Sequence, residues 1–125
     1  MAKTKRTEIK WLSGAEAQDY PAAESYLSLL FQEAQVRKMV AGLRRASVVQ
    51  YKAKDIFRAS QLSLLGVSNS HVEKDRVKIR RGQSLSPLLL VRDERTGRVV
   101  IADGYHRLCA VYEVAEDAWI SCKII

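Results

Sequence analysis

Cysteine is scarce, with Cys109 and Cys122 the two in the chain, and two thiols are too few for a disulfide framework. No secretory pattern opens the sequence, because residues 1–6 lead into no apolar run, so a reducing cytoplasm is the expected setting. Apolar runs are short, as in Leu88-Leu89-Leu90-Val91, against the roughly 20 residues that span a bilayer, and no membrane partner is expected. Aromatics make up only 7%, few for a surface that stacks bases. No internal repeat or low-complexity linker divides the chain.

What is present is an ordinary globular composition. The chain has 125 residues, 47% hydrophobic and 28% charged, which suits one soluble domain with one real core. Its 21 Lys and Arg exceed its 14 Asp and Glu, for a formal charge of +7. The excess is not uniform. Residues 11–36 carry acidic groups alone, Glu16, Asp19, Glu24 and Glu33, whereas 37–58 and 71–82 are strongly basic. Such a belt concentrates polyanions by an attraction that salt screens, so nucleotides, DNA, RNA and phosphorylated metabolites are admissible partners. A solvated face gives the same count.

Residues 1–18 read as a basic mobile arm with a short strand at 9–12. Asp19-Tyr20-Pro21 suits a helix start, since proline tolerates the first turn and Asp19 the positive end of the dipole. Leu29, Val36, Val40 and Leu43 then recur at helical spacing, which predicts a single helix to about Gly42 within an N-terminal helical segment, 19–45. Residues 47–53 alternate as a strand, 54–56 read as a turn, and 60–66 as a short helical turn stopped by glycine, with a loop at 67–69. Ser70-His71-Val72-Glu73 fits a capping box, opening a helix that Gly82 ends. Val72, Arg76 and Ile79 share one of its faces; Lys74, Lys78 and Arg81 form a positive stripe on another. Residues 88–91 and 98–102 read as strands of a hairpin around 93–97, followed by a helix over 106–114 and a last strand over 119–125. The order implies an α+β fold, a small mixed sheet flanked by helices with an extra helix at the N-terminus.

The densest group of reactive side chains is Asp103-Gly104-Tyr105-His106-Arg107, at a strand end that enters a helix. A helix start offers unpaired amides and partial positive charge, and glycine admits an anion close to the backbone. Arg107 can fork two phosphate oxygens and His106 can donate another hydrogen bond, so the turn predicts a phosphate cradle. Tyr105 either stacks on a base or packs at the turn. Asp103 would repel a phosphate unless it places Mg²⁺ beside it or takes a proton from a substrate hydroxyl, which makes Asp103 and His106 the candidate catalytic groups. The structural alternative is a helix start in which His106 and Arg107 merely pair with Asp103. His106 and Cys109 stand three apart with Cys122 beyond, but without paired-cysteine spacing the thiols are expected in the core rather than on structural zinc.

Residues 88–107, a proline-led apolar hairpin running into Asp-Gly-Tyr-His-Arg-Leu-Cys-Ala, resemble the ParB/sulfiredoxin-like domain, and the resemblance extends over 46–125. The resemblance implies nucleoside triphosphate binding, ATP or CTP with Mg²⁺, and phosphates on Gly104, Tyr105, His106 and Arg107; the positive stripe adds Lys74 and Lys78 as candidate phosphate contacts. Members include CTP-binding partitioning proteins, ATP-using sulfinic acid reductases, free-serine kinases and nucleases. The reductases place their reactive cysteine where Tyr105 stands, so that activity is not expected. The partitioning proteins carry Gly-Glu-Arg-Arg over positions 104–107 and follow this domain with a helix-turn-helix domain, so sequence-specific centromere binding is not expected of residues 1–125. The Asp-Gly-x-His-Arg form is nearest the small-molecule kinases, which add a glutamate, for which Glu73 is one candidate. The expectation is a nucleotide-binding domain with NTP hydrolysis or phosphoryl transfer open to it. The alternative is a nucleic-acid-binding accessory protein using Arg44, Arg45, Lys74, Lys78 and Arg81, and a homodimer is admissible in either case.

Overall fold

A computed structural model describes residues 8–64 and 69–125. The apolar run at 88–91 is the centre of the molecule. It lies in β2 (Leu88–Asp93), where all four residues are buried, as expected of a strand covered on both faces. β2 runs parallel to β4 (Trp119–Ile124) on one side and antiparallel to β3 (Arg98–Asp103) on the other, and β1 (Val49–Lys52) pairs antiparallel with β4. The sheet order is therefore β1-β4-β2-β3.

Because side chains alternate along a strand, β2 feeds two separate cores. Leu89 and Val91 pack with Ala102 against Tyr20, Ala23 and Leu27 of α1 (Asp19–Leu27) and Val36, Val40 and Leu43 of α2 (Glu33–Arg45). Leu88 and Leu90 pack on the other face with residues of α3 (Ala53–Ser60), α4 (Ser70–Arg80) and α5 (Tyr105–Val114). Among the described residues, five helices on a four-stranded mixed sheet make an α+β fold in three layers. Lys123, buried in β4, fastens one side: its Nζ donates to the Tyr20 hydroxyl at 3.0 Å and to the Arg44 carbonyl at 3.1 Å. Among the described residues no helix is long and apolar enough to cross a membrane.

Several boundaries differ from the sequence expectation. The helix expected from 19 to 42 is two helices. Ser28 closes α1 by donating its hydroxyl to the Glu24 carbonyl, a local bond that competes with helix continuation. The Gln32 amide then donates to the Gln35 side chain at the start of α2. Leu29, whose spacing extended the single stripe, is 82% exposed; Leu27 is the buried residue. The turn expected at 54–56 is the first turn of α3, whose Ala53 and Lys54 amides donate to the Ala118 and Glu116 carbonyls. That helix ends at Gln61 in the left-handed region, φ 57°, so no helical turn starts at 60. Residues 65–68, including Gly66, lie outside the described part, as does 1–7 of the arm. Residues 9–12 run beside Leu85, with a parallel bridge from Trp11 and bonds of 2.8 Å on either side. No capping box opens α4. Asn69 is the cap, its Oδ1 accepting the His71 and Val72 amides, one residue before the expected position. Gly82, at φ +70°, closes α4 as expected, because this left-handed position suits a residue without Cβ.

Candidate functional site

β3 ends at Asp103 and the chain reverses through Gly104 at φ +105°, ψ 13°, directly into α5. Glycine is required here twice over. The φ is left-handed, and a Cβ would stand 2.7 Å from Leu88 Cγ and 2.9 Å from an Arg107 terminal nitrogen. Gly104 has no side chain with which to cap the first turn of α5, so those amides lack the usual N-cap partner.

α5 lies beside α4, and with the turn before α5 they line an open cavity of about 220 Å³. α4 contributes His71, Lys74, Asp75 and Lys78, which recur at helical spacing on one face; the turn contributes Asp103, Gly104, His106 and Arg107. Lys74 and Lys78 thus reach the same space as the turn, although some 30 residues separate them in the chain. Leaving the histidines aside, three cations face two carboxylates.

Arg107 does not extend a free fork into that space. Its Nη2 donates to Asp103 Oδ2 at 2.9 Å and to the Pro87 carbonyl at 3.4 Å, and lies 3.9 Å from Asp19 Oδ2. Its Nε is buried without a hydrogen-bond partner, a costly condition for a charged donor. Asp19, at the start of α1, also accepts hydrogen bonds from the Ser86 hydroxyl and from the Glu16 amide. The pairing of Arg107 with Asp103 that the structural alternative called for is therefore present, with a second carboxylate from another layer.

Burial is the largest influence on the acids. It pushes Asp103 above the ordinary carboxylate value against the pull of Arg107, and Asp19 pushes the same way. Burial likewise raises Asp75, opposed by Arg107, Lys78, His106 and Lys74. His106 is held below its ordinary value by burial and by His71, whose ring centre is 4.9 Å away. It is thus kept in the neutral form near pH 7.

The remaining candidates divide. Tyr105 donates its hydroxyl to the Ser63 carbonyl and packs 5.7 Å from the His106 ring, but it does not line the cavity. Glu73 binds Arg76 and Arg80 on the flank of α4 and is not among the lining residues. Arg81 lies beyond the cavity, at the end of α4. Arg44 stacks over the Tyr20 ring at 4.4 Å. It and Arg45 belong to α2, on the opposite face of the sheet from α4, so the basic belt is split between two sides. Cys109 and Cys122 are both buried, and among the described residues no three His, Cys, Asp or Glu side chains converge as metal ligands.

The sequence reading missed His71, Asp75 and Asp19 as members of the site. The first two were legible as the positions that share a helix face with Lys74 and Lys78; Asp19 was not, because its approach to Arg107 depends on how α1 docks. A second cavity, of about 200 Å³, lies between α3 and the sheet, lined chiefly by Ile56, Leu90, Val99 and Ile124 with Arg92 and Asp55. It lacks a convergent group of charges. No protein family, curated protein or solved structure matches this chain.

Proposed function

We infer that this chain binds a nucleoside triphosphate, ATP or CTP, by its phosphates in the cavity between α4 and α5. The observation that carries the reading is the convergence of Lys74 and Lys78 from α4 with Arg107 and the uncapped start of α5 around one opening. Cations from separate elements beside a glycine turn form a site for concentrated negative charge, because the protein has already placed them and a polyanion relieves their mutual repulsion. In this reading Lys74 and Lys78 neutralise the distal phosphates, the α5 amides and His106 donate to them, and Arg107 exchanges part of its contact with Asp103 for a phosphate oxygen. The buried Nε supplies a reason for that exchange, since it lacks an acceptor in the unliganded arrangement.

The carboxylates fit Mg²⁺, which is held by one or two acids with phosphate oxygens filling the rest of its shell. Asp103 and Asp75 flank the cavity in that number, and the ion would neutralise charge on the phosphates. Where Asp75 alone holds the ion, Asp103 is instead the group that would take a proton from an attacking hydroxyl, a role that its raised pKa favours by making it a better proton acceptor. The reading agrees with the ParB/sulfiredoxin-like resemblance, in which the same turn takes the phosphates.

The test is thermal unfolding against a panel of nucleotides with Mg²⁺. A ligand at 100 times its Kd that binds only the folded chain adds about 2.7 kcal/mol. Lys74→Ala combined with Lys78→Ala should remove that gain while leaving the unliganded Tm nearly unchanged, as expected of substitutions at the rim. No gain with any nucleotide, or an undiminished gain in the double variant, would overturn the reading.

A further inference from the structure

His71 and His106 are the two histidines of the chain, and each is the second residue of its helix, α4 and α5. Their rings meet at the cavity with centres 4.9 Å apart and planes tilted by 40°. Two imidazoles bound to one first-row metal ion through bonds of about 2.0–2.1 Å put their ring centres about 5 Å apart at a tetrahedral angle. The observed separation of 4.9 Å is already that distance. We propose that His71 and His106 form a two-imidazole site for a divalent first-row transition ion, such as Co²⁺, Ni²⁺ or Zn²⁺, whose remaining positions are taken by oxygens of the anion in the same cavity.

Two features support the pair. Nitrogen donors favour this class of ion over Mg²⁺, which prefers oxygen. Asp75, one helical turn after His71 and lining the same cavity, supplies a carboxylate beside the rings that lessens the repulsion Lys74, Lys78 and Arg107 exert on an incoming cation. Since no third protein ligand converges among the described residues, the chain alone gives half a coordination shell. The site is therefore open and suited to an exchangeable ion that arrives with, or recruits, phosphate oxygens. That completion rests on the nucleotide reading; the imidazole pair does not.

The experiment uses the untagged full chain and Co²⁺ alone, followed by Co²⁺ with ATP. One Co²⁺ per chain should bind with a visible d–d absorption, and a tenfold excess of Mg²⁺ should not displace it. Both histidine ring signals should shift or broaden together over the first equivalent in the NMR spectrum. His71→Gln and His106→Gln should each weaken binding tenfold or more. ATP should tighten Co²⁺ binding, and by reciprocity Co²⁺ should tighten ATP binding by the same factor. The pair is overturned if His71→Gln binds Co²⁺ like the native chain, if only one ring responds, or if an intense sulfur-to-metal band shows that Cys109 or Cys122 holds the ion. If both rings bind Co²⁺ while ATP leaves its affinity unchanged, the phosphate completion is refuted and the imidazole pair stands. Failure of the nucleotide reading itself would appear separately, in the Lys74 and Lys78 double variant with Mg²⁺.

Discussion

Gly104→Ala is the sharpest test of the turn on which the site depends. Two costs add. An L-residue at φ +105° leaves the favoured backbone regions, for about 1–2 kcal/mol. The new Cβ would then lie 2.7 Å from Leu88 Cγ and 3.1 Å from Leu88 Cδ1. Leu88 is fully buried at the centre of the sheet, so it cannot swing away, and overpacking of this kind costs roughly 1–3 kcal/mol. The contact at 2.9 Å with the Arg107 terminal nitrogen is more forgiving, being the end of a long side chain, but relief there loosens the bond to Asp103. The sum, about 2–5 kcal/mol, is a large share of the roughly 5–15 kcal/mol that stabilises a domain. Gly97→Ala is the matched control, because Gly97 also has a positive φ, +70°, but has open space around it; it should cost about 1 kcal/mol. Urea unfolding of the two variants isolates the crowding, and the accompanying Tm loss should be about 8–20 °C for Gly104→Ala against about 4 °C for Gly97→Ala. Equal stability of the two variants would refute the claim that Leu88 and Arg107 close over the turn.

Two further outcomes follow from the buried charges. Arg107→Met should destabilise the chain by about 3–5 kcal/mol, because it leaves the Asp103 and Asp19 carboxylates facing each other without a cation. Adding Asp103→Asn should recover a substantial part of that loss in a double-mutant cycle, and full additivity would show that the three groups do not act as a unit. Asp75→Asn should stabilise the chain at pH 7. Burial holds the Asp75 pKa above its ordinary 3.8, so the folded chain binds that proton more tightly than the unfolded chain. Its contribution is fully present below the unfolded value and is lost as pH rises through the folded one. The advantage of the asparagine variant should therefore shrink as pH falls towards 4, and an advantage that grows on acidification would contradict the assigned cause.

Local signals in the sequence were read correctly where local physics controls the outcome. The apolar run at 88–91 marked a strand, Gly97 a positive φ in the hairpin loop, and Gly82 a helix end. The acid-rich turn at 93–97 gave the hairpin, which Asp93 closes by accepting the Arg95 amide and the Thr96 hydroxyl. The helix split at residue 28 was not legible from spacing, because Leu27 and Leu29 are equally apolar and only the packing of α1 against β3 selects the first. Nor was the cap at Asn69 separable from Ser70, since both residue types cap well and lie next to each other.

For the site, sequence alone determined the chemistry of the turn: which residue could bend, which could carry positive charge, and which carboxylate stood at the strand end. It also carried the helical spacing of His71, Lys74, Asp75 and Lys78. What only the tertiary structure decided was that these four face the turn across one cavity, and that Arg107 folds back onto Asp103 and towards Asp19. The physical reason is that a helix period fixes which side chains share a face, whereas the direction of that face is set by the burial of Val72 and Ile79 against α5 and the sheet, a condition imposed by residues far away in the chain.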